Sequence, residues 1–311
     1  MKNFFYIVFG GLALFIIGIF VVKIGIAVTS AKPPVVINPV TSYSATQEED
    51  NLNTTYKLWS STSTTSSTSL RSAITAKSYI VMDINSGSVL ASRSLDMLMP
   101  IASLTKLVTA VVAKKYIAAD ARIVISKDIL NTYGNSAGFK EGETFTVGDL
   151  MYPLLMISSN DASEAIAAAY DFSGVSGRAA FIRAMNDFTQ SIGAYRTYFA
   201  DPAGLSPDSA STARDMAIIL EWIYKNQPSI LDVTLQETKT IRSHTWVNPT
   251  HLLSWSYYLG GKNGYTPEAS LTGASLFKFG TATSSPIYAV VVLGSQSRDS
   301  DVVSLARQII K

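Results

Sequence analysis

From Phe4 to Val22 the chain carries no charged side chain (FFYIVFGGLALFIIGIFVV). As a helix rising 1.5 Å per residue, this run extends roughly 28 Å, one hydrocarbon core. It reads as a transmembrane helix, taking residues 1–31 with its flanks. The alternative is a cleaved secretory signal, whose apolar core is about 7–15 residues long and whose exit carries small residues, as Val28-Thr29-Ser30-Ala31 does weakly. Lys2 lies on one side of the run and Lys23 and Lys32 on the other, so charge counting does not orient it. Residues 32–76 follow with little apolar periodicity and an unbroken Ser/Thr run from Ser60 to Ser69. Such a segment cannot offset its ordering entropy, and as a coil it spans on the order of 35–40 Å. Folding is thereby confined to residues 77–311, expected as one domain outside the cytoplasm on a single N-terminal membrane pass.

Within that region the pattern changes to alternating and amphipathic segments. Ser78–Met82 and Ser88–Ala91, joined by Asn85-Ser86-Gly87, predict a β-hairpin. Leu104, Leu107, Val108 and Val111 recur at helical spacing, and further helices are expected between Val147 and Tyr224. Strands are predicted over Ser270–Thr281 and Ile287–Gly294, then a helix over Asp299–Ile310 with Asp299 or Ser300 at its N-cap. Strands at both ends with helices inserted between them imply an α+β domain whose sheet is assembled from distant parts of the chain.

Composition excludes several chemistries. Twenty-five basic against 23 acidic side chains give a formal charge of +2, too balanced for a nucleic-acid surface. With no cysteine and only two histidines, thiol catalysis and thiolate or His-rich metal sites are not expected. His244 and His251 read as ordinary structural residues.

Three short motifs carry chemistry. In Ser103-Leu104-Thr105-Lys106, after Pro100-Ile101-Ala102, residues three apart on a helix share a face, so the Ser103 hydroxyl and Lys106 amine can meet. The lysine becomes a base for the serine only if burial and a second cation lower its pKa, and the helix N-terminus offers partial positive charge to an oxyanion. A second copy, Ser275-Leu276-Phe277-Lys278, falls in a predicted strand, where residues three apart point to opposite faces. Ser158-Ser159-Asn160 precedes an Ala-rich helix. It reads either as an N-cap formed by Ser159, Asn160 or Asp161 or as a functional turn, with Ser158 relaying a proton and Asn160 holding substrate and lysine. Gly260-Gly261-Lys262-Asn263-Gly264-Tyr265-Thr266 reads either as a glycine-rich turn or as a strand edge that a substrate backbone approaches, with Lys262 as a cation for a carboxylate.

In this order the motifs resemble those of penicillin-binding proteins and class A β-lactamases, and most closely the serine-type D-alanyl-D-alanine carboxypeptidases. The likeness extends to Asp83, Ser86-Gly87, Val89-Leu90, Pro100–Lys106, Gly142-Glu143, Asp149-Leu150, Leu154–Ala162, Asp201-Pro202-Ala203-Gly204-Leu205 and Ser211–Ala217. The resemblance implies a β-lactamase/transpeptidase-like fold, an antiparallel sheet packed with helices plus an all-helical subdomain. It makes Ser103 the acylated nucleophile, Lys106 its base and Ser158 the proton relay. Asn160, Lys262, Asn263, Gly264, Tyr265 and Thr266 become substrate-binding, with the N–H groups of Ser103 and Tyr265 as the oxyanion hole. Peptidoglycan stem peptides are then the substrate, β-lactams covalent inhibitors, and no metal or cofactor is required.

Two departures stand out. Asn263 replaces the usual threonine of Lys-Thr-Gly, which raises a pseudoenzyme alternative. No C-terminal β-domain with an anchoring helix follows, so anchoring is assigned to the N-terminal helix. A D,D-endopeptidase would use the same residues. A β-lactamase needs a deacylating glutamate after the second motif, whereas Glu49-Asp50-Asn51-Leu52-Asn53 precedes Ser103.

Overall fold

The computed structural model describes residues 74–172, 174–282 and 284–309. The apolar run Phe4–Val22, the polar segment up to residue 73, Glu49–Asn53 and the last two residues lie outside the described residues. Among the described residues no helix is long and apolar enough to cross a membrane.

In chain order the elements are β1 (Ser78–Asp83), β2 (Val89–Arg93), β3 (Met99–Pro100), a 3-10 turn (Ala102–Leu104), α1 (Thr105–Tyr116), β4 (Arg122–Val124), α2 (Lys127–Leu130), β5 (Thr144–Thr146), α3 (Val147–Met156), α4 (Asn160–Ala168), β6 (Asp171–Phe172), β7 (Val175–Ser176), α5 (Arg178–Ser191), β8 (Ala210–Ser211), α6 (Ala213–Asn226), α7 (Ser229–Thr234), β9 (Thr238–Ile241), β10 (His244–Val247), a second 3-10 turn (His251–Ser254), β11 (Tyr258–Thr266), β12 (Ser270–Lys278), β13 (Ile287–Ser295) and α8 (Arg298–Arg307).

The main sheet has the order β11-β12-β13-β1-β2, antiparallel throughout. The first strand of the domain therefore pairs with the last, Ser78 opposite Leu293 and Asp83 opposite Tyr288. Side chains alternate across a strand, and both faces here are covered. Val291 and Leu293 join a core with Met216, Ala217 and Leu220 of α6, whereas Val290 and Val292 pack with Val302, Leu305 and Ala306 of α8. Burial on both sides explains why β13 reads as a continuous apolar run rather than an alternation.

α1 is buried from Thr105 to Ala113. A helix covered all round must satisfy its polar side chains internally. α3 starts at a capping box, Thr146 accepting from Asp149 N–H while the Asp149 carboxylate accepts from Thr146 N–H, and ends just before the Ser158 turn.

Two predicted boundaries move. β12 ends at Lys278 rather than Thr281, because Gly280 turns at φ +114°. α8 begins at Arg298 with Ser297 at the N-cap. Asp299 instead pairs with Arg298 at 2.7 Å, and Asp301 is committed elsewhere. The buried Asp301 carboxylate accepts from Thr75 N–H at 2.9 Å, Thr75 Oγ1 at 2.7 Å, Ala76 N–H at 2.8 Å and Ser295 Oγ at 2.7 Å. It thus seats the segment entering β1 on the last helix. Replacing it strands four donors, so Asp301→Ala is expected to cost about 3 kcal/mol. Urea denaturation reads this as a lowered midpoint with an unchanged slope.

Candidate active site

Ser103 lies in the 3-10 turn that leads into α1, one residue after Ala102, which is held at φ +49°. A non-glycine residue in that region costs about 1–2 kcal/mol, so its surroundings must impose it. Gly204 packs against it so closely that a Cβ there would sit 1.9 Å from Ala102 O. The tight turn presents Ser103 at the mouth of α1 while Lys106, one turn further on, is fully buried beneath it.

The Lys106 Nζ has three neighbours: Ser103 Oγ at 2.8 Å, Asn160 Oδ1 at 2.8 Å and Ala203 O at 2.7 Å. Burial pulls its pKa down to about 7, against the opposing attraction of Asp201, Asp161 and Glu164. Among the described residues no carboxylate touches the amine directly. A neutral amine has two hydrogens and one lone pair; with the hydrogens donated to Asn160 and Ala203, the lone pair faces the serine hydroxyl. The geometry therefore suits proton abstraction from Ser103.

The second motif contains both a helix cap and a contact to Lys106. Ser159 is the N-cap of α4, accepting from Ala162 N–H at 3.0 Å, and its hydroxyl also donates to Asp161. Asn160, the next residue, turns its Oδ1 to Lys106. Ser158, buried, adopts φ +63°, a second strained non-glycine residue at the site. Asn160 is held by its Nδ2 on Tyr133 O at 2.8 Å and by its N–H on Asn135 O at 2.7 Å.

The third motif is a strand, β11, at the edge of the main sheet. Gly264 backs Ser103: a Cβ there would lie 2.8 Å from Ser103 N and 3.1 Å from Ala102 Cβ. Lys262 is buried, and burial together with the charges of Lys106 and Arg298 lowers its pKa well below that of an exposed lysine. Its Nζ donates to Asn263 O at 2.8 Å and Asn263 Oδ1 at 3.2 Å. Asn263 thus occupies part of the lysine's donor capacity. The Tyr265 side chain projects into solvent, 64% exposed. Thr266 Oγ1 accepts from Ala269 N–H at 3.1 Å, holding the β11–β12 turn. The second Ser-x-x-Lys copy lies in β12, with Ser275 buried and Lys278, partly exposed, as the last residue of the strand.

The sequence motifs omit three supports. Asp201 Oδ1 collects the N–H groups of Ala203, Gly204 and Leu205 at 2.8, 2.6 and 3.1 Å, and Oδ2 that of Ser206 at 2.8 Å. This turn aims Ala203 O at Lys106. Asp161 accepts from Ser136 Oγ at 2.7 Å and Ala137 N–H at 3.1 Å, tying the 133–137 loop to α4. Arg298 lays its stem along Gly273, the cross-strand partner of Asn263. For Asp201 a signal existed, an Asp ahead of Pro-Ala-Gly, the composition of a tight turn. The other two depend on contacts between distant segments.

The sequence matches the D-alanyl-D-alanine carboxypeptidase family, peptidase S11, over residues 62–297. It is 31% identical over 252 residues to a D-alanyl-D-alanine endopeptidase of Pseudomonas aeruginosa, covering 76% of this chain and 78% of that one. The crystal structure of a D-alanyl-D-alanine carboxypeptidase of Mycobacterium tuberculosis superposes with a TM-score of 0.66 at 26% identity, over 75% of this chain and 89% of that chain. A DD-transpeptidase variant from Streptomyces does so at 0.68 and 28%, over 75% and 97%. The sheet with its helices is the penicillin-binding, transpeptidase-like α+β fold. With the family pattern spanning three quarters of the sequence and the same fold beneath it, this chain belongs to the peptidase S11 family of D-alanyl-D-alanine carboxypeptidases.

Proposed function

We propose that the chain is a serine D,D-carboxypeptidase that removes the terminal D-alanine of peptidoglycan stem peptides through an ester on Ser103. The observation that carries this reading is the buried Lys106 amine, 2.8 Å from the Ser103 hydroxyl with a pKa of about 7.

In this mechanism neutral Lys106 takes the Ser103 proton as Oγ attacks the D-Ala-D-Ala carbonyl. The N–H groups of Ser103 and Tyr265 receive the oxyanion. Ser158 relays that proton from Lys106 to the leaving amine, the C–N bond breaks, D-alanine departs and Lys106 is neutral again. Water then attacks the ester, Lys106 again accepting a proton, and Ser103 is regenerated. Asn160 holds the base and the substrate amide. Lys262 receives the terminal carboxylate, with Arg298 adding positive potential and Thr266 a hydroxyl. A carboxylate arriving beside Lys262 supplies the anion that its buried site lacks, which favours its charged form. That charge in turn keeps Lys106 neutral.

A D,D-endopeptidase uses the same atoms on a cross-linked substrate, and the 31% identical endopeptidase relative favours keeping this second reading. Comparing D-alanine release from a stem pentapeptide with cleavage of a cross-linked dimer separates the two. The uncharged run Phe4–Val22 supports placing the catalytic domain outside a bacterial cell membrane on an N-terminal anchor; because Ile74 and Ala76 are buried in its core and Thr75 is bonded to Asp301, the domain begins at residue 74 rather than 77, and the tether shortens to residues 32–73. Protease accessibility of the domain in intact spheroplasts tests that topology.

Three outcomes are expected. Intact-mass spectrometry of the full-length chain with benzylpenicillin should find a lasting adduct that Ser103→Ala abolishes; an adduct in the variant would sink the assignment. Rapid hydrolysis of the adduct to penicilloate would favour a β-lactamase. Because only neutral Lys106 is competent and its pKa is lowered to about 7, acylation should rise with pH through that value and level off above it. At pH 6 the rate should be about one tenth of the plateau, the neutral fraction one unit below the pKa. Finally, Asn263→Thr removes an acceptor from Lys262 and should tighten the initial complex with carboxylate-bearing ligands several-fold. An unchanged saturation concentration would show that Asn263 does not compete.

A further inference from the structure

We infer that Trp246, on the β9–β10 hairpin, is a positioning residue for acylation, its indole N–H holding the loop that holds Asn160 on Lys106. The inference rests on the reading of Ser103 and Lys106 given above.

The hairpin is a separate two-stranded sheet, and an isolated hairpin is marginal in water. Its β10 strand alternates, Thr245 and Val247 outward, His244 and Trp246 inward. What the inward residues meet is the segment between α2 and β5. Trp246 Nε1 donates to Ala137 O at 3.0 Å in a buried contact. His244 Nε2 lies 3.0 Å from Glu143 Oε2, and its ring stacks on Trp246 with centroids 5.9 Å apart. Phe139 packs edge-on against both rings.

From Ala137 the contacts run to the base without a gap. The Ala137 N–H donates to the Asp161 carboxylate at 3.1 Å. Two and four residues earlier, Asn135 O and Tyr133 O receive the backbone and side-chain N–H groups of Asn160. Gly134 lies against that amide, where a Cβ would be 2.7 Å from Asn160 Nδ2. Asn160 Oδ1 then meets Lys106. The segment 131–143 has no helix or strand of its own, so its placement depends on what it is fastened to: α4 and Ile157 within, Ile125 at its far end, and the hairpin outside.

Two residues past Trp246, the open end of the hairpin is also tied to the opposite wall. Asn248 Nδ2 donates to Thr234 O at 2.9 Å, and Thr234 Oγ1 accepts from Gly261 N–H, next to Lys262, at 3.1 Å. Removing the Trp246 Nε1 bond therefore acts on the wall that holds Lys106, while the Asn248–Thr234 bond to the other wall is kept.

The test compares wild-type full-length chain with Trp246→Phe, which keeps the aromatic body and removes the donor. Acylation by benzylpenicillin, followed to saturation, separates the limiting rate from the concentration that half-saturates it. The limiting rate should fall about tenfold, with the half-saturating concentration within twofold of wild type. Hydrogen exchange should quicken over residues 133–137 and not over β11. An unchanged limiting rate, a weakened initial complex at full rate, or unchanged exchange at 133–137 would overturn the assignment. If Trp246→Phe does not fold, His244→Asn, which shortens the other inward contact, is read by the same constants and the same exchange. Failure of the wild type to acylate at Ser103 would sink the peptidase reading instead, and the exchange measurement would still judge the brace.

Discussion

The site depends on an amine placed where water cannot reach it. Lys106 has no exposed surface, and a charged ammonium there forfeits its hydration, so the proton is held only loosely near neutrality. Its acceptors, one amide oxygen and one backbone carbonyl, take its hydrogens without adding a formal charge. The carboxylates of Asp201 and Asp161 act at one remove, through the peptides they bind. A direct ion pair would have kept the amine protonated and useless as a base.

Holding that amine in place makes demands on four distant parts of the chain. α1 must be buried all round, which the inserted helices and the sheet accomplish together. The turns on either side of the cleft must adopt left-handed backbone at Ala102 and Ser158, a cost that the packing around them offsets. Gly204 and Gly264 are required for a steric reason, since a methyl at either would collide with the 3-10 turn bearing Ser103. The family's glycine in the third motif is thus tied here to the nucleophile's own backbone.

Much of the architecture was legible beforehand because its signals are local. The hairpin β1–β2, the apolar period of α1 and the long strands near the C-terminus each follow from residues within a few positions of one another. So does the dual character of Ser158-Ser159-Asn160, where adjacent residues divide the cap and the cleft between them. What escaped reading involves commitments made far away. Asp301 looked like part of a helix start, yet its carboxylate is taken by Thr75 and Ala76. His244 looked merely structural, and its partner, Glu143, lies about a hundred residues earlier. The consequence of Asn263 depended on register, and only the folded strand puts its Oδ1 on Lys262.

By itself the sequence determined the chemistry available: a serine and lysine one helical turn apart, a serine and asparagine at a helix start, and a lysine on a glycine-rich strand, with no thiol to compete. Those are properties of residue type and short spacing, which side-chain geometry within one element decides. Tertiary structure alone decided the protonation of the lysine, because burial lowers its pKa against the attraction of Asp201, Asp161 and Glu164, and decided which acceptors, Asn160 Oδ1 and Ala203 O, its amine meets. Desolvation is a property of everything that surrounds a group, and no local pattern encodes it.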